Sequence, residues 1–135
     1  MKILKLDHIG VAVKSIEKTL PFYQQGLGLT LKGIEDVPAL KVKVAQLDTS
    51  NLIMELIEPL VGEEAVSRFI DKRGEGIQHL CFEVEDINTA LKILYVQGYP
   101  SIYPQPQTGA GGRKVNFLSP KDTFGVLIEL VQKAV

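Results

Sequence analysis

Hydrophobic and polar positions alternate from residue 3 to residue 13, placing Leu6, His8, Gly10 and Ala12 on one face of an extended strand and Ile9, Val11 and Val13 on the other. The period then lengthens. Ser15 is placed to cap a helix through Ile16, Leu20 and Tyr23, with Gly26 as a left-handed terminator, and Pro21 inside it lacks an N–H and should kink it. Residues 30–34, 40–47 and 52–57 return to strand-like patterns, and Asp48-Thr49-Ser50-Asn51 supplies the hairpin turn between the last two. The first half therefore reads as βαβββ.

Pro59 to Gly62 interrupts the pattern, and residues 63–72 carry Ala65, Val66, Phe69 and Ile70 at the spacing of a short amphipathic helix. The order of the first half then recurs. A strand at 77–84 precedes Asp86, an N-cap for a helix through Ile87, Ala90, Leu91, Leu94 and Tyr95 to Gly98. A strand beginning at Ser101-Ile102, a Pro- and Gly-rich stretch over 104–112, and strands at 113–118 and 126–132 around the turn Ser119-Pro120-Lys121-Asp122 complete the second module. The expected class is α+β. Two paired βαβββ modules, about 1–60 and 75–135, are joined by a short helical linker in one domain of 135 residues, since halves of about 65 residues are marginal alone.

Composition narrows the function without choosing it. The chain is 45% hydrophobic and 23% charged, with no apolar run near the roughly 18 residues that cross a membrane. Fifteen basic and 16 acidic residues are intermixed at a net charge of -1, which offers no basic field for nucleic acid. The amino-terminal residues do not form a secretory signal, and one cysteine, Cys81, cannot make an internal disulfide; both favour a cytoplasmic location.

Each module delivers one histidine and one glutamate at similar offsets, His8 to Glu55 over 47 residues and His79 to Glu129 over 50. The histidines point away from the aliphatic faces. Glu55 lies between Met54 and Leu56, and Glu129 between Ile128 and Leu130. A carboxylate buried in such a strand costs several kcal/mol unless it is paired or coordinates a cation, and neither strand holds an arginine or lysine to pair with it. A lone histidine on a strand is more often an ordinary core or surface residue. Four such residues at matching positions of a repeat instead make the plan of a metal site with open positions, suited to Co, Mn, Ni, Zn or Fe(II). Cys81, one alternation beyond His79, reads as small cavity lining.

Asp7-His8-Ile9, Phe22-Tyr23 ahead of Gly26-Leu27-Gly28, and the two closing glutamates resemble the vicinal oxygen chelate superfamily of glyoxalases, extradiol dioxygenases, fosfomycin resistance enzymes and metal-free bleomycin-binding proteins. Residues 76–82, Gly109-Ala110-Gly111-Gly112-Arg113-Lys114 through Lys121, and 125–130 are similar to the methylmalonyl-CoA epimerases of that superfamily. The resemblance implies a curved mixed sheet around a metal-binding cleft, a ligand set of His8, Glu55, His79 and Glu129, and a homodimer. It also implies interconversion of the two epimers of methylmalonyl-CoA, by abstraction of the α-proton to an enolate that a divalent ion stabilises, with Glu129 and Glu55 as candidate bases. The second ligand position takes glutamine or glutamate in the family. A glutamate that some epimerases place in the third strand, proposed there as a base, falls on Val42 here, so Lys41 and Lys43 stay open as alternatives.

The CoA tail needs phosphate contacts, for which Gly111, Gly112, Arg113 and Lys114 are the candidates, and a pantetheine channel that Tyr103 or Phe117 could line. The glycine-rich run reads equally as a flexible lid or a plain loop. A glyoxalase acting on a glutathione hemithioacetal is the alternative enzyme, and a metal-free ligand-binding or resistance protein the alternative of a different class.

Overall fold

A computed structural model describes all of residues 1–135. The chain divides into two compact units, one of residues 8–78 and one of residues 79–135 together with 1–7. The helical segment expected to link two modules thus belongs to the first unit, and the amino-terminal seven residues belong to the second. Eight strands and three α-helices put the fold in the α+β class expected from the sequence.

β1 (Ile3–Ala12), whose residues 3–7 belong to the second unit, leads in the first unit through α1 (Ile16–Pro21) to β2 (Thr30–Val37), β3 (Val42–Asp48) and β4 (Ile53–Pro59), and α2 (Ala65–Arg73) follows. The strands lie in the order β2-β3-β4-β1. Neighbours pair antiparallel except β1 and β4, which are parallel with Gly10 opposite Glu55. Val11, Val13, Ala45, Leu47 and Leu56 turn to the helix side and pack with Ile16, so truncating Leu56 to Ala should cost about 2–5 kcal/mol. Glu63 closes the amino end of α2, its carboxylate accepting from the Val66 and Ser67 N–H groups.

The second unit repeats this plan with β5 (Gly76–Val84), α3 (Ile87–Val96), β6 (Gln107–Thr108), β7 (Lys114–Leu118) and β8 (Leu127–Gln132). Their order, β6-β7-β8-β5, mirrors that of the first unit, and β5 pairs parallel with β8 so that Cys81 stands opposite Glu129. Val84, Ile87, Ala90 and Leu130 form its core.

Three local expectations change. The Ser15 hydroxyl does cap α1, accepting from the Lys18 N–H at 3.2 Å, but beyond Pro21 the chain continues as a π-helical turn over Phe22–Gly26, because the missing proline N–H shifts the ladder by one residue. The left-handed glycine is Gly28, at φ 73°, and not Gly26. In place of a strand starting at Ser101 there is one isolated bridge from Ser101 to Leu118 and a two-residue β6. Pro104 and Pro106 cannot donate to a ladder. The fully buried Asn116 amide substitutes for one, accepting from the Tyr103 N–H at 3.2 Å and donating to the Tyr103 carbonyl at 3.0 Å.

Candidate functional site

The residues expected to carry chemistry fall into one His–Glu pair per unit. In the first unit the parallel register sets His8 two positions from the residue facing Glu55, and the His8 Nε2 lies 3.6 Å from the Glu55 Oε1. In the second unit the same offset brings the His79 Nε2 to 3.1 Å from the Glu129 Oε1. All four side chains are buried, with relative exposures of 6% and 5% in the first pair and 2% and 6% in the second. Two ligand atoms about 2.1 Å from one ion at tetrahedral or octahedral angles stand about 3.0–3.4 Å apart, so both pairs have the donor chemistry of two ligands to a divalent ion, the second also has the spacing, and the first, at 3.6 Å, is slightly wider.

The surroundings of the two pairs differ. Gln46, opposite Glu55 in the β3–β4 register, donates its Nε2 hydrogen to Glu55 Oε2 at 3.4 Å. At the equivalent β7 position, opposite Glu129, stands Phe117, whose ring meets the His79 imidazole edge-on at 6.4 Å between centroids and the Tyr103 ring at 6.2 Å. Sequence reasoning named Phe117 only as a lining of the pantetheine channel and passed over Gln46. Gln46 was legible, because the turn at residues 48–51 fixes 46 opposite 55.

Lys41 and Lys43 move away from a proton-transfer role. Lys41 adopts a left-handed backbone at φ 56° with its ammonium near Gly62, and Lys43 lies on the opposite face of β3 from Gln46 by strand alternation. Val42, where the sequence comparison places the glutamate of some epimerases, is buried on the Gln46 face.

The glycine-rich run is a closed turn. The Gly109 N–H donates to the Arg113 carbonyl at 2.8 Å, and the Gly112 and Arg113 N–H groups donate back to Gly109 and Ala110. A Cβ on Gly109 would stand 2.9 Å from Val115 Cγ1, so only glycine lets the turn close on β7. The Gly112 and Arg113 amides are thus engaged within the turn. The Arg113 guanidinium lies against Asp7 and Glu83, while Lys114 is exposed on the opposite face of β7 from Phe117.

The family model of the Glyoxalase/Bleomycin resistance protein/Dioxygenase superfamily matches residues 7–117. The mouse mitochondrial methylmalonyl-CoA epimerase is 36% identical, with 97% of this chain and 74% of that protein covered. This chain belongs to that superfamily, and within it to the methylmalonyl-CoA epimerase family. The ethylmalonyl-CoA/methylmalonyl-CoA epimerase of Cereibacter sphaeroides is 35% identical over 95% of this chain and 97% of its own length. A Streptomyces coelicolor methylmalonyl-CoA epimerase in complex with 2-nitronate-propionyl-CoA superposes with a TM-score of 0.91 at 32% identity, covering 99% of this chain and all of that one. No helix is long and apolar enough to cross a membrane.

Proposed function

We propose that the protein interconverts the two epimers of methylmalonyl-CoA in a metal-dependent reaction, with the two units acting as one domain over residues 1–135. The observation that carries the substrate is the likeness, across the whole chain, to an epimerase complexed with 2-nitronate-propionyl-CoA. A nitronate is a planar, delocalised anion, the charge distribution of the enolate that α-proton removal creates.

His8, Glu55, His79 and Glu129 are the proposed ligands of one divalent ion; the repeated register and the burial of two carboxylates among aliphatic strands support this. When bound, such an ion supplies Lewis-acid stabilisation of negative charge on the substrate oxygens. The chain's own groups handle the proton. Glu129 is the proposed base at the α-carbon and Glu55 the candidate on the other face, where proton return inverts the centre. The pairs differ in their cross-strand neighbours: Gln46 donates a hydrogen bond to Glu55, and Phe117 stands opposite Glu129. Tyr103 and Phe117 are the proposed lining of the pantetheine channel. Lys114 is the proposed phosphate contact, with side-chain-free Gly111 and Gly112 leaving access to it. Arg113, expected to join them, receives a different role below. A homodimer in the cytoplasm completes the reading, with light scattering of the purified protein as the check on assembly.

The deciding experiment is solvent deuterium incorporation into methylmalonyl-CoA by the metal-loaded protein, followed by NMR, with the hemithioacetal of methylglyoxal and glutathione assayed beside it. Exchange at the α-carbon with interconversion of the epimers is expected. Turnover of the hemithioacetal without exchange would move the protein to the glyoxalase branch.

A further inference from the structure

Asp7, Glu83 and Arg113 form a cluster within the second unit that the proposed chemistry leaves unused. The Arg113 guanidinium donates from Nη1 to Asp7 Oδ1 at 3.1 Å, from Nη2 to Glu83 Oε2 at 2.7 Å and from Nε to the Gln132 carbonyl at 3.1 Å. The arginine side chain is 24% exposed, and its two carboxylate partners are 12% and 15% exposed. A solvated ion pair contributes little, but a guanidinium held by three acceptors in a partly buried fork fixes geometry in a way an ammonium cannot. One cation against two carboxylates also leaves the cluster negative, which disfavours a phosphate.

Each partner sits on a strand that carries a ligand residue. Asp7 immediately precedes His8 on β1, Glu83 lies four residues beyond His79 on β5, and Gln132 lies three residues beyond Glu129 on β8. In the first unit the corresponding positions, by the same register, are the buried Ala12 for Glu83 and the buried Val42 for Arg113. The tie is therefore an addition of one module and not a relic of the repeat.

We infer that Arg113 is a positioning residue, which holds the backbone entering His8 and the strands bearing His79 and Glu129 in the geometry that binds the metal. The inference rests on the metal reading above. Small displacements of ligand-bearing elements matter, since a site must be held to about 0.5 Å of its working geometry.

The test uses the full chain as wild type, R113M, R113K and D7N. Cobalt(II) binding is measured by equilibrium dialysis, thermal unfolding is followed in parallel, and kcat and KM are compared for methylmalonyl-CoA and methylmalonyl-pantetheine. R113M should weaken cobalt binding about 10–100-fold, the size of losses seen when groups that orient ligands are removed. R113K should restore part of it, D7N should reproduce much of it, and the R113M/D7N double variant should lose no more than the worse single one. The ratio of KM values for the two substrates should not move. Unchanged cobalt affinity in R113M and R113K overturns the inference, whether the variants merely melt earlier or raise KM for the CoA substrate alone. Wild-type protein that binds no cobalt removes the metal reading itself, an outcome distinct from wild-type binding that the variants retain.

Discussion

The two units use one plan with different environments around it. In the first, a His–Glu pair sits beside the polar Gln46, with Ala12 and Val42 apolar at the far end of the same face. In the second, the pair sits against the aromatic edge of Phe117, with the Glu83–Arg113 ion pair at the positions corresponding to Ala12 and Val42. The ligand positions, the strand order and the parallel register are shared. A repeat that keeps its His–Glu pairs while changing what surrounds them offers a way to separate binding from reactivity, because variants of the shared pairs and of the unshared neighbours can be compared one against the other.

The largest effects should expose that division. Glu129→Gln is expected to lower both α-proton exchange and epimer interconversion about 10³-fold, within the range for a general base, while Glu55→Gln should lower interconversion comparably and leave exchange from the Glu129 face within about tenfold. Metal content of each variant by plasma mass spectrometry, set against exchange and interconversion, checks it; equal losses of exchange at full occupancy would erase the asymmetry. Removing the ion by chelation should abolish exchange and lower the melting temperature, and a metal present at 100 times its Kd should restore about 2.7 kcal/mol of stability, read by calorimetry.

Smaller effects sharpen the comparison. Phe117→Ala removes an aromatic wall from the second pair and should destabilise the fold by about 2–4 kcal/mol in urea unfolding, near the usual cost of emptying an aromatic site. Gln46→Leu loses one long hydrogen bond and should stay within about 1 kcal/mol in the same measurement. Least of all, Ser15→Ala and Asp86→Ala should each cost about 1 kcal/mol, because the two caps accept equivalent N–H groups at Lys18 and Thr89.

Those caps also show why so much was readable beforehand. Ser15 and Asp86 each stand seven residues after the histidine, and alternation along β1 and β5 put the histidines opposite the aliphatic face, so caps, helices and the His–Glu pairs followed from local periodicity. What was not legible depends on contacts distant in the chain. Arg113 meets Asp7 106 residues away, and nothing near residue 113 signals that its charge is already engaged. The segment after Ser101 reads as a strand by composition, and the Ile102 N–H bond to the Phe117 carbonyl at 2.8 Å together with the buried Asn116 amide holds it along β7 without a ladder. The π-helical turn after Pro21 belongs to the same class: a kink was foreseeable, its form was not.

Glu58 and Gln132 lie three residues beyond Glu55 and Glu129 on the same strands, and each bonds the first N–H of its unit's helix, at Ile16 and Ile87. A strand slipped by one residue exposes its greasy face and is rejected by solvent, but a slip of two leaves inside and outside unchanged and hydrophobicity cannot detect it. On β4 and β8 such an error would misplace the glutamate and uncap the helix at once. Each strand thus carries two marks, one for chemistry and one for folding, that check the same alignment, and a chain that has read it wrongly fails both tests before it can bind anything.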